Sequence, residues 1–410
     1  MSEMRDIVIA GGGMVGISLA LRLARQLPGE RRITLVEGFP LPTDSAQQSA
    51  YHPSFDARST ALSYSSQSIF VALGLWDAIA RHACPIETIH VSNRGRFGSA
   101  LLRAADYGWP ALGYVVENPW LGRCLASALR ASEVEILSPA TVETARVIPA
   151  GQKLALSGEG PESLETRLLV VADGAGSGLR QRLGFSAHEK SYGQQALVGN
   201  VAHAQPHGGR AFERFTANGP LALLPLPGVS GAPHRSALVW TVDPERGSRL
   251  RDCAQAEFLG ELQEAFGYRL GRLQQVGERA HYPLSLVQSA EQVRSGVVVM
   301  GNAAHALHPV AGQGFNLALR AVAVLADTLA EALEQGESCG DLAVLERYER
   351  RQRGDQRRTI AFSDSLPGLF SHPGPLLGLT RDLSLAGLDI LPALKREFVR
   401  HTAGVAALGE

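Results

Sequence analysis

Two glycine turns in this chain have the residue types and spacing that phosphate binding asks for. The first, Gly11-Gly12-Gly13-Met14-Val15-Gly16, is entered from the run Asp6–Ala10 and left through the helix-like stretch Ile17–Leu27. Strand, glycine turn and helix in that order suit a dinucleotide. Gly11 permits the tight turn, Gly13 lets backbone amides approach a pyrophosphate, and Gly16 lets the helix pack closely on the strand. Ile33–Val36 reads as the next strand, and Glu37 stands at its carboxyl end. An acid about 20 residues beyond the glycines can hydrogen-bond the ribose of an adenosine. The alternative, a solvated loop acid, is less favoured by that position at a strand end.

The second turn, Gly312-Gln313-Gly314, belongs to the segment Gly301–Arg320. Val297–Met300 before it reads as a strand, and Phe315, Leu317, Leu319, Val322 and Leu325 after it mark a helix. A helix opening on glycines offers free amides and the positive end of its dipole to an electron-rich group. A further glycine-rich turn, Asp173-Gly174-Ala175-Gly176-Ser177-Gly178-Leu179-Arg180, closes the predicted strand Leu168–Ala172. Asp173 there structures the turn, orders a phosphate through neighbouring donors, or does both. His305 and His308 read as structural. No carboxylate or cysteine recurs near them at ligand spacing, so no metal site is expected.

These loops need a sheet to hold them and a core to hold the sheet, and 410 residues suffice for two domains. Lys and Arg number 39 against 40 Asp and Glu, with no basic stripe interleaved with aromatics, so nucleic acid is not an expected partner. Arg347, Arg350, Arg351, Arg353, Arg357 and Arg358 fall in a predicted helix from about Leu342 to Ile360 and read as a solvated face. Cys84, Cys124, Cys253 and Cys339 are scattered, as reduced structural thiols would be. Neither a leader segment nor an apolar run of about 18 residues is evident, which leads us to expect a cytoplasmic protein, at most peripheral at a membrane.

Past the βαβ unit Asp6–Val36, a polar loop from Pro40 to Asp56 leads into Asp56–Leu62, DARSTAL. Helical pattern resumes from Ser66 to Ala80 and again over Pro119–Ala131. The strand Glu135–Leu137 and a hairpin-like section to Thr166 follow. From about Tyr192 to Thr241 strands alternate, with breaks at Gly208-Gly209, Asn218-Gly219-Pro220 and Pro225-Leu226-Pro227, which reads as an inserted antiparallel sheet. The expected fold is α/β: a Rossmann-like nucleotide-binding domain, an inserted, mainly antiparallel β-sheet substrate domain and a C-terminal helical tail. Residues 1–75, 119–184 and 284–365 are assigned to the first, 76–118 and 185–283 to the substrate side, and 366–410 to the tail.

The three motifs in this order resemble the FAD-dependent aromatic hydroxylases, the group A flavoprotein monooxygenases built like 4-hydroxybenzoate hydroxylase. The resemblance implies FAD, with Gly11, Gly13, Met14, Val15 and Gly16 at its pyrophosphate and Glu37 at its ribose. It implies Asp173-Gly174, with Ser177 and Arg180, near the pyrophosphate and in the use of NAD(P)H as electron donor. Gly301, Asn302, Gly312, Gln313, Gly314, Phe315 and Asn316 would run along the ribityl chain and isoalloxazine. Arg58 and Arg123 match basic residues that relatives set against the cofactor, the alternatives being a surface arginine and helix-surface packing. Pro309 would set its backbone beside the substrate ring, a rigid turn being the alternative. No residue is assigned as the base.

DARSTAL, the run Phe212–Leu226 (FERFTANGPLALLPL), Val239-Trp240 and the Gly-Gln-Gly-Phe-Asn-Leu ending look like the ubiquinone-biosynthesis hydroxylases. Asn302, in place of the aspartate of those relatives, is similar to the 2-polyprenyl-6-methoxyphenol hydroxylase (UbiH) branch. Asparagine keeps an acceptor, adds a donor and removes a charge beside the flavin. Ala321 stands where the family leads one to expect a helix aspartate. The implied reaction is hydroxylation of a prenylated phenol para to its hydroxyl, giving 2-polyprenyl-6-methoxy-1,4-benzoquinol. NAD(P)H would reduce the flavin, and dioxygen would form a C4a-hydroperoxide that attacks the ring. Alternatives are a sister hydroxylase acting at another ring position, an FAD-dependent reductase, and a non-catalytic scaffold of a quinone-synthesis complex. The implied partners are the prenylated phenol, dioxygen, a multi-enzyme ubiquinone-synthesis complex and the inner membrane face. The apolar tail Leu366–Val399, broken by Pro367, Pro373, Pro375 and Pro392, either packs on the host domain or borders a lipid entrance.

Overall fold

The computed structural model describes residues 4–41, 51, 53–94, 99–216, 219–307, 312–371 and 404. His308, Pro309 and, apart from Gly404, the tail beyond Ser371 lie outside the described residues.

Continuous apolar runs become buried parallel strands, because both of their faces must be covered. Val297–Val299, Ser163–Val171, Arg5–Ala10, Ile33–Val36 and Glu135–Leu137 lie side by side in that order, all parallel. The pleat sends Ile7 and Ile9 to one face, where they pack with Leu19, Leu23, Leu325 and Leu329 of the helices Met14–Gln26 and Gln313–Glu334. Val8 and Ala10 face the other way, onto Leu154, Leu164 and Phe185. The hairpin Ala140–Ile148 with Gly151–Gly158 extends from the strand Ser163–Val171.

A nine-stranded sheet forms the second body. Its main path runs His305–Ala306, Ala280–Ser289, Ala187–His203, Arg235–Val242, Gly219–Leu226, Arg210–Thr216, Thr88–Asn93, Ser99–Arg103. Every pair along it is antiparallel except Arg210–Thr216 with Thr88–Asn93. One face is closed by the helices Pro244–Asp252 and Gln255–Phe266, which bury Leu250, Phe258 and Phe266 against Trp240, Phe212 and Leu223. The other face meets a small sheet of Ser59–Ser63, Gly113–Glu117 and Ala83–Ile86.

Several elements differ from the sequence expectation. Pro225-Leu226 is not a break: both residues lie within the strand Gly219–Leu226, where Pro225 stands opposite Ser236. The strand Ala280–Ser289 runs through the expected boundary at 283/284, so the return to the parallel sheet comes after Ser289. The last helix extends over Leu342–Ser371, across the expected boundary at 365/366. The stretch Ser66–Ala80 is two helices, Tyr64–Ala72 and Trp76–Ala80, parted at Gly74 with φ +63°. Arg350 and Arg353 pair within the helix with Glu346 and Glu349, whereas Arg347 and Arg351 pair with Glu337 and Glu331 outside it. All four cysteines are free thiols.

Candidate functional site

Four loops leave the carboxyl ends of four adjacent parallel strands, which is where open α/β sheets bind ligands. Gly11 follows Arg5–Ala10, Glu37 follows Ile33–Val36, Asp173 follows Ser163–Val171, and Gly301 follows Val297–Val299. In the first loop Gly11 has φ +116°, and a Cβ there would meet the Ala172 carbonyl oxygen at 2.4 Å. A Cβ on Gly16 would lie 1.9 Å from the Gly11 carbonyl oxygen, so the helix touches the turn through bare backbone. At Gly13, the N-cap of that helix, a Cβ would meet nothing within 4 Å. The Glu37 carboxylate accepts from the Gly12 amide at 2.5 Å and the Phe39 amide at 2.9 Å, which fixes it against the turn.

The other loops are stitched to the first. Gly301 has φ +61°, and a Cβ on it would stand 3.2 Å from Val15 Cγ1, so the first helix and the third loop approach closely. Arg180, expected near the pyrophosphate, is buried, and its Nη1 donates to the Ala303 carbonyl at 2.7 Å. That bond ties the Asp173 loop to the Gly301 loop. Asp173 and Asn302 are exposed. Met14, Val15 and Phe315 pack partly buried against the main core.

Gly312, with φ +60°, caps the helix Gln313–Glu334 and lies against Ala61, 3.3 Å from where its own Cβ would be. Gln313 is buried, whereas a Cβ on Gly314 would meet only open space. Asn316 is fully engaged with the protein. Its Oδ1 accepts from the Ser63 amide (2.8 Å) and the Ser66 hydroxyl (2.7 Å), and its Nδ2 donates to the Ala61 (2.9 Å) and Gly312 (2.7 Å) carbonyls. It therefore positions the glycine turn against the strand Ser59–Ser63, and its side chain has no capacity left for a ligand.

Arg58 is exposed, with its guanidinium over the Tyr282 ring at 5.1 Å. Arg123 sits over the Tyr51 ring at 5.1 Å. Sequence reading missed what anchors this region. Arg235, 0% exposed, donates to Glu117 at 2.5 Å, to the Pro227 carbonyl at 2.7 Å and to the Ser54 carbonyl at 2.7 Å. The Tyr51 hydroxyl donates to the other oxygen of Glu117. Asn200 Nδ2 adds bonds to the Phe55 and Ala57 carbonyls at 2.7 and 2.8 Å. The segment before Arg58 is thus bound to the large sheet.

His305 is buried on its short strand beside Gln292, and burial pushes its pKa down to about 4, so it is neutral and structural. Behind it a small chamber is lined by Gln292, His305, Ala321, Tyr348, Gln352 and Gln356. Ala321 is one of the walls of this space. The Tyr348 hydroxyl and Gln352 Oε1 have no hydrogen-bond partner there. Removing an unpaired buried hydroxyl removes a desolvation penalty, so Tyr348→Phe is expected to leave stability unchanged or raise it by about 1 kcal/mol. Urea denaturation of the variant checks this. A loss above about 1 kcal/mol would mean that the hydroxyl is satisfied after all.

Among the described residues no cluster of His, Cys, Asp or Glu has metal-binding geometry, and no helix is long and apolar enough to cross a membrane.

Glycine turns on a parallel sheet, set against an antiparallel sheet, define an FAD-binding monooxygenase fold. The chain resembles p-nitrophenol 4-monooxygenase PnpA from Pseudomonas putida DLL-E4 in structure, with a TM-score of 0.76 and 19% identity over 98% of this chain and 99% of that one. Residues 4–363 match the family model of the FAD binding domain. The ubiquinone hydroxylase UbiL of Rhodospirillum rubrum is 34% identical over 99% of this chain and 91% of its own length. The 3-demethoxyubiquinol 3-hydroxylase of Escherichia coli is 32% identical over 98% of this chain and 100% of its own. The chain belongs to the FAD-dependent hydroxylases of ubiquinone biosynthesis.

Proposed function

We propose that the chain hydroxylates 2-polyprenyl-6-methoxyphenol para to its hydroxyl, giving 2-polyprenyl-6-methoxy-1,4-benzoquinol, with NAD(P)H as electron donor. The observation that carries the reading is the set of loops at the carboxyl ends of adjacent parallel strands. The space beside Gly13, Gly174, Gly176 and Gly314, where an added Cβ meets nothing within 4 Å, fits a cofactor laid along backbone amides. Gly11, Gly13, Met14, Val15 and Gly16 would hold the pyrophosphate, and Glu37, already fixed by two amides, would turn its remaining lone pairs to the ribose. Asp173 would order phosphate. Gly301, Asn302, Gly312, Gln313 and Gly314 would face the ribityl chain and ring, with Arg58 and Arg123 as cations beside the site.

Bound FAD, reduced by NAD(P)H, supplies the activation of dioxygen that no side chain can provide. The protein must hold the phenol, keep water out and take up its proton. The reaction balances when one oxygen atom enters the ring, the other leaves as water and NAD(P)H is oxidised.

Asn302 in place of the family's aspartate supports the para-hydroxylating branch. The similarity to a 3-demethoxyubiquinol 3-hydroxylase favours a second reading, hydroxylation at a neighbouring ring position. The polyprenyl chain of either substrate makes contact with the inner membrane face, or with a multi-enzyme complex, part of the proposal. Turnover under labelled dioxygen, with the ring position read by NMR, tests both readings. Label at the carbon para to the hydroxyl is expected. Label elsewhere selects the sister reading, and unlabelled product sinks the monooxygenase.

A further inference from the structure

We propose that Glu213, on the strand Arg210–Thr216, is the base that takes the proton of the substrate's phenol. The inference rests on the hydroxylase reading above and names a residue for its unassigned step. Glu213 stands opposite Val91 on one side and Ala222 on the other. Along the same row follow Val239, Val198 and Ala280, so this carboxylate is the one ionisable group in a cross-strand row of small apolar residues. Its Oε1 is sealed from solvent and has no hydrogen-bond partner. A half-buried carboxylate with one oxygen sealed and unpaired is costly to keep, and such groups concentrate where chemistry needs them.

The face it occupies is the one that meets the small sheet and the segment before Arg58. Phe212 and Arg214 alternate to the opposite face, where Phe212 packs with Phe266 beneath the helices. Ala211, on Glu213's own side, packs with Ile86 and Val115 of the small sheet. On that side too Ala237 stands opposite Asn200, whose amide holds the segment just before Arg58. Glu213 therefore stands on the face that the small sheet and the segment before Arg58 share, and the substrate ring is placed between it and the glycine turns. Para hydroxylation requires this separation, because the hydroxyl lies across the ring from the carbon that receives oxygen.

Among the described residues no charge is paired with Glu213, and Arg58, over Tyr282 on the same side of the sheet, is the cation that shares its face. Gly219–Leu226 has no titratable residue, and on Thr88–Asn93 His90 turns to the other face with Phe212. Arg210 lies over the Phe212 ring, on that other face. On the small sheet, Cys84 is a buried thiol, and Glu117 is bound to Arg235 and Tyr51. Tyr114 packs on Trp76. Asp364 of the last helix, which also contacts this part of the sheet, holds Lys190 and Tyr192. Burial alone pushes the Glu213 carboxyl up to about 7, close to the acidity a general base needs at neutral pH.

In the step, the phenol O–H bond breaks as an O–H bond forms on Glu213. The freed electron pair enters the ring, and the para carbon takes one oxygen atom of FAD-activated dioxygen. The other atom leaves as water, and NAD(P)H supplies the two electrons. The displaced ring proton departs as the ring regains aromaticity.

The test uses the FAD-loaded enzyme, labelled dioxygen and two substrates: the prenylated methoxyphenol and a ring-fluorinated analogue whose phenol ionises near neutrality. Wild-type kcat/KM is expected to rise with pH through an acid limb near 7, where the ordinary phenol does not ionise. Glu213→Gln is expected to lose that limb and about 10²-fold in rate on the ordinary phenol. The same variant is expected to recover most of that loss on the fluorinated phenol, a rescue that a merely structural role does not produce. An unchanged limb in Glu213→Gln, or equal losses on both substrates, overturns the assignment. If the variant does not fold, the wild-type profile decides, and absence of a limb near 7 overturns the proposal. Wild-type enzyme that gives no labelled product defeats the hydroxylase reading itself, whereas labelled product with an indifferent Glu213→Gln defeats only the base.

Discussion

Gly16→Ala is expected to yield a destabilised, colourless protein, and Gly13→Ala a stable, colourless one. The difference follows from what each new methyl meets. At Gly16 it would sit 1.9 Å from the Gly11 carbonyl oxygen and 3.5 Å from Ile9, with neither the turn nor the sheet free to yield. Gly11 is itself backed against the Ala172 carbonyl, so the helix must move off the strand as a body. Overpacking of this kind costs about 1–3 kcal/mol and displaces the amides of the turn. At Gly13 the methyl would meet nothing within 4 Å, and φ −71° suits alanine, so the fold should not register it. It would instead occupy the space kept for a pyrophosphate. FAD titration and thermal melting of both variants check this. FAD binding by Gly13→Ala as tight as wild type would show that the turn does not hold the cofactor.

Glu117→Ala is expected to cost about 3–5 kcal/mol, because it strands the guanidinium of Arg235 in the interior. Arg235 is 0% and Glu117 2% exposed, so solvent screening does little for either. Burying two ions is expensive, and here the expense is offset by Glu117 and by the Pro227 and Ser54 carbonyls, which together satisfy the guanidinium. The network spans the small sheet, the large sheet, Tyr51 and Ser54, so its loss should also loosen the approach to Arg58. Urea denaturation of Glu117→Ala, Arg235→Ala and the double variant measures the coupling. Losses below about 1 kcal/mol for both single variants would show that the pair is not what joins these parts.

The candidate site is legible in the sequence where its turns impose a local backbone demand. Gly11, Gly16 and Gly312 each answer a close approach or a positive φ, and such demands show as glycines at fixed offsets beside apolar runs. The place of Glu37 beside those glycines is legible because a strand end fixes its distance from them. Contacts made by tertiary pairing left no such trace. Arg235 and Glu117 are far apart in sequence, and nothing in either neighbourhood announces a partner. Glu213 lay in plain view within FERFTANGPLALLPL, yet which face it joins depends on register with Thr88–Asn93 and Gly219–Leu226. Asn316 follows the glycines, as a cofactor contact would, but its four bonds to Ser63, Ser66, Ala61 and Gly312 commit its side chain to holding the turn. Pro225 suggests a break because a proline usually is one, yet the sheet accommodates it opposite Ser236.

Deleting the gene for this chain and profiling the prenylated aromatics of the strain tests the central claim most directly. Para hydroxylation predicts loss of ubiquinone and accumulation of 2-polyprenyl-6-methoxyphenol, with both restored by the wild-type gene and not by Gly13→Ala. Accumulation of a precursor that already carries the para hydroxyl, or ubiquinone unchanged, would contradict it.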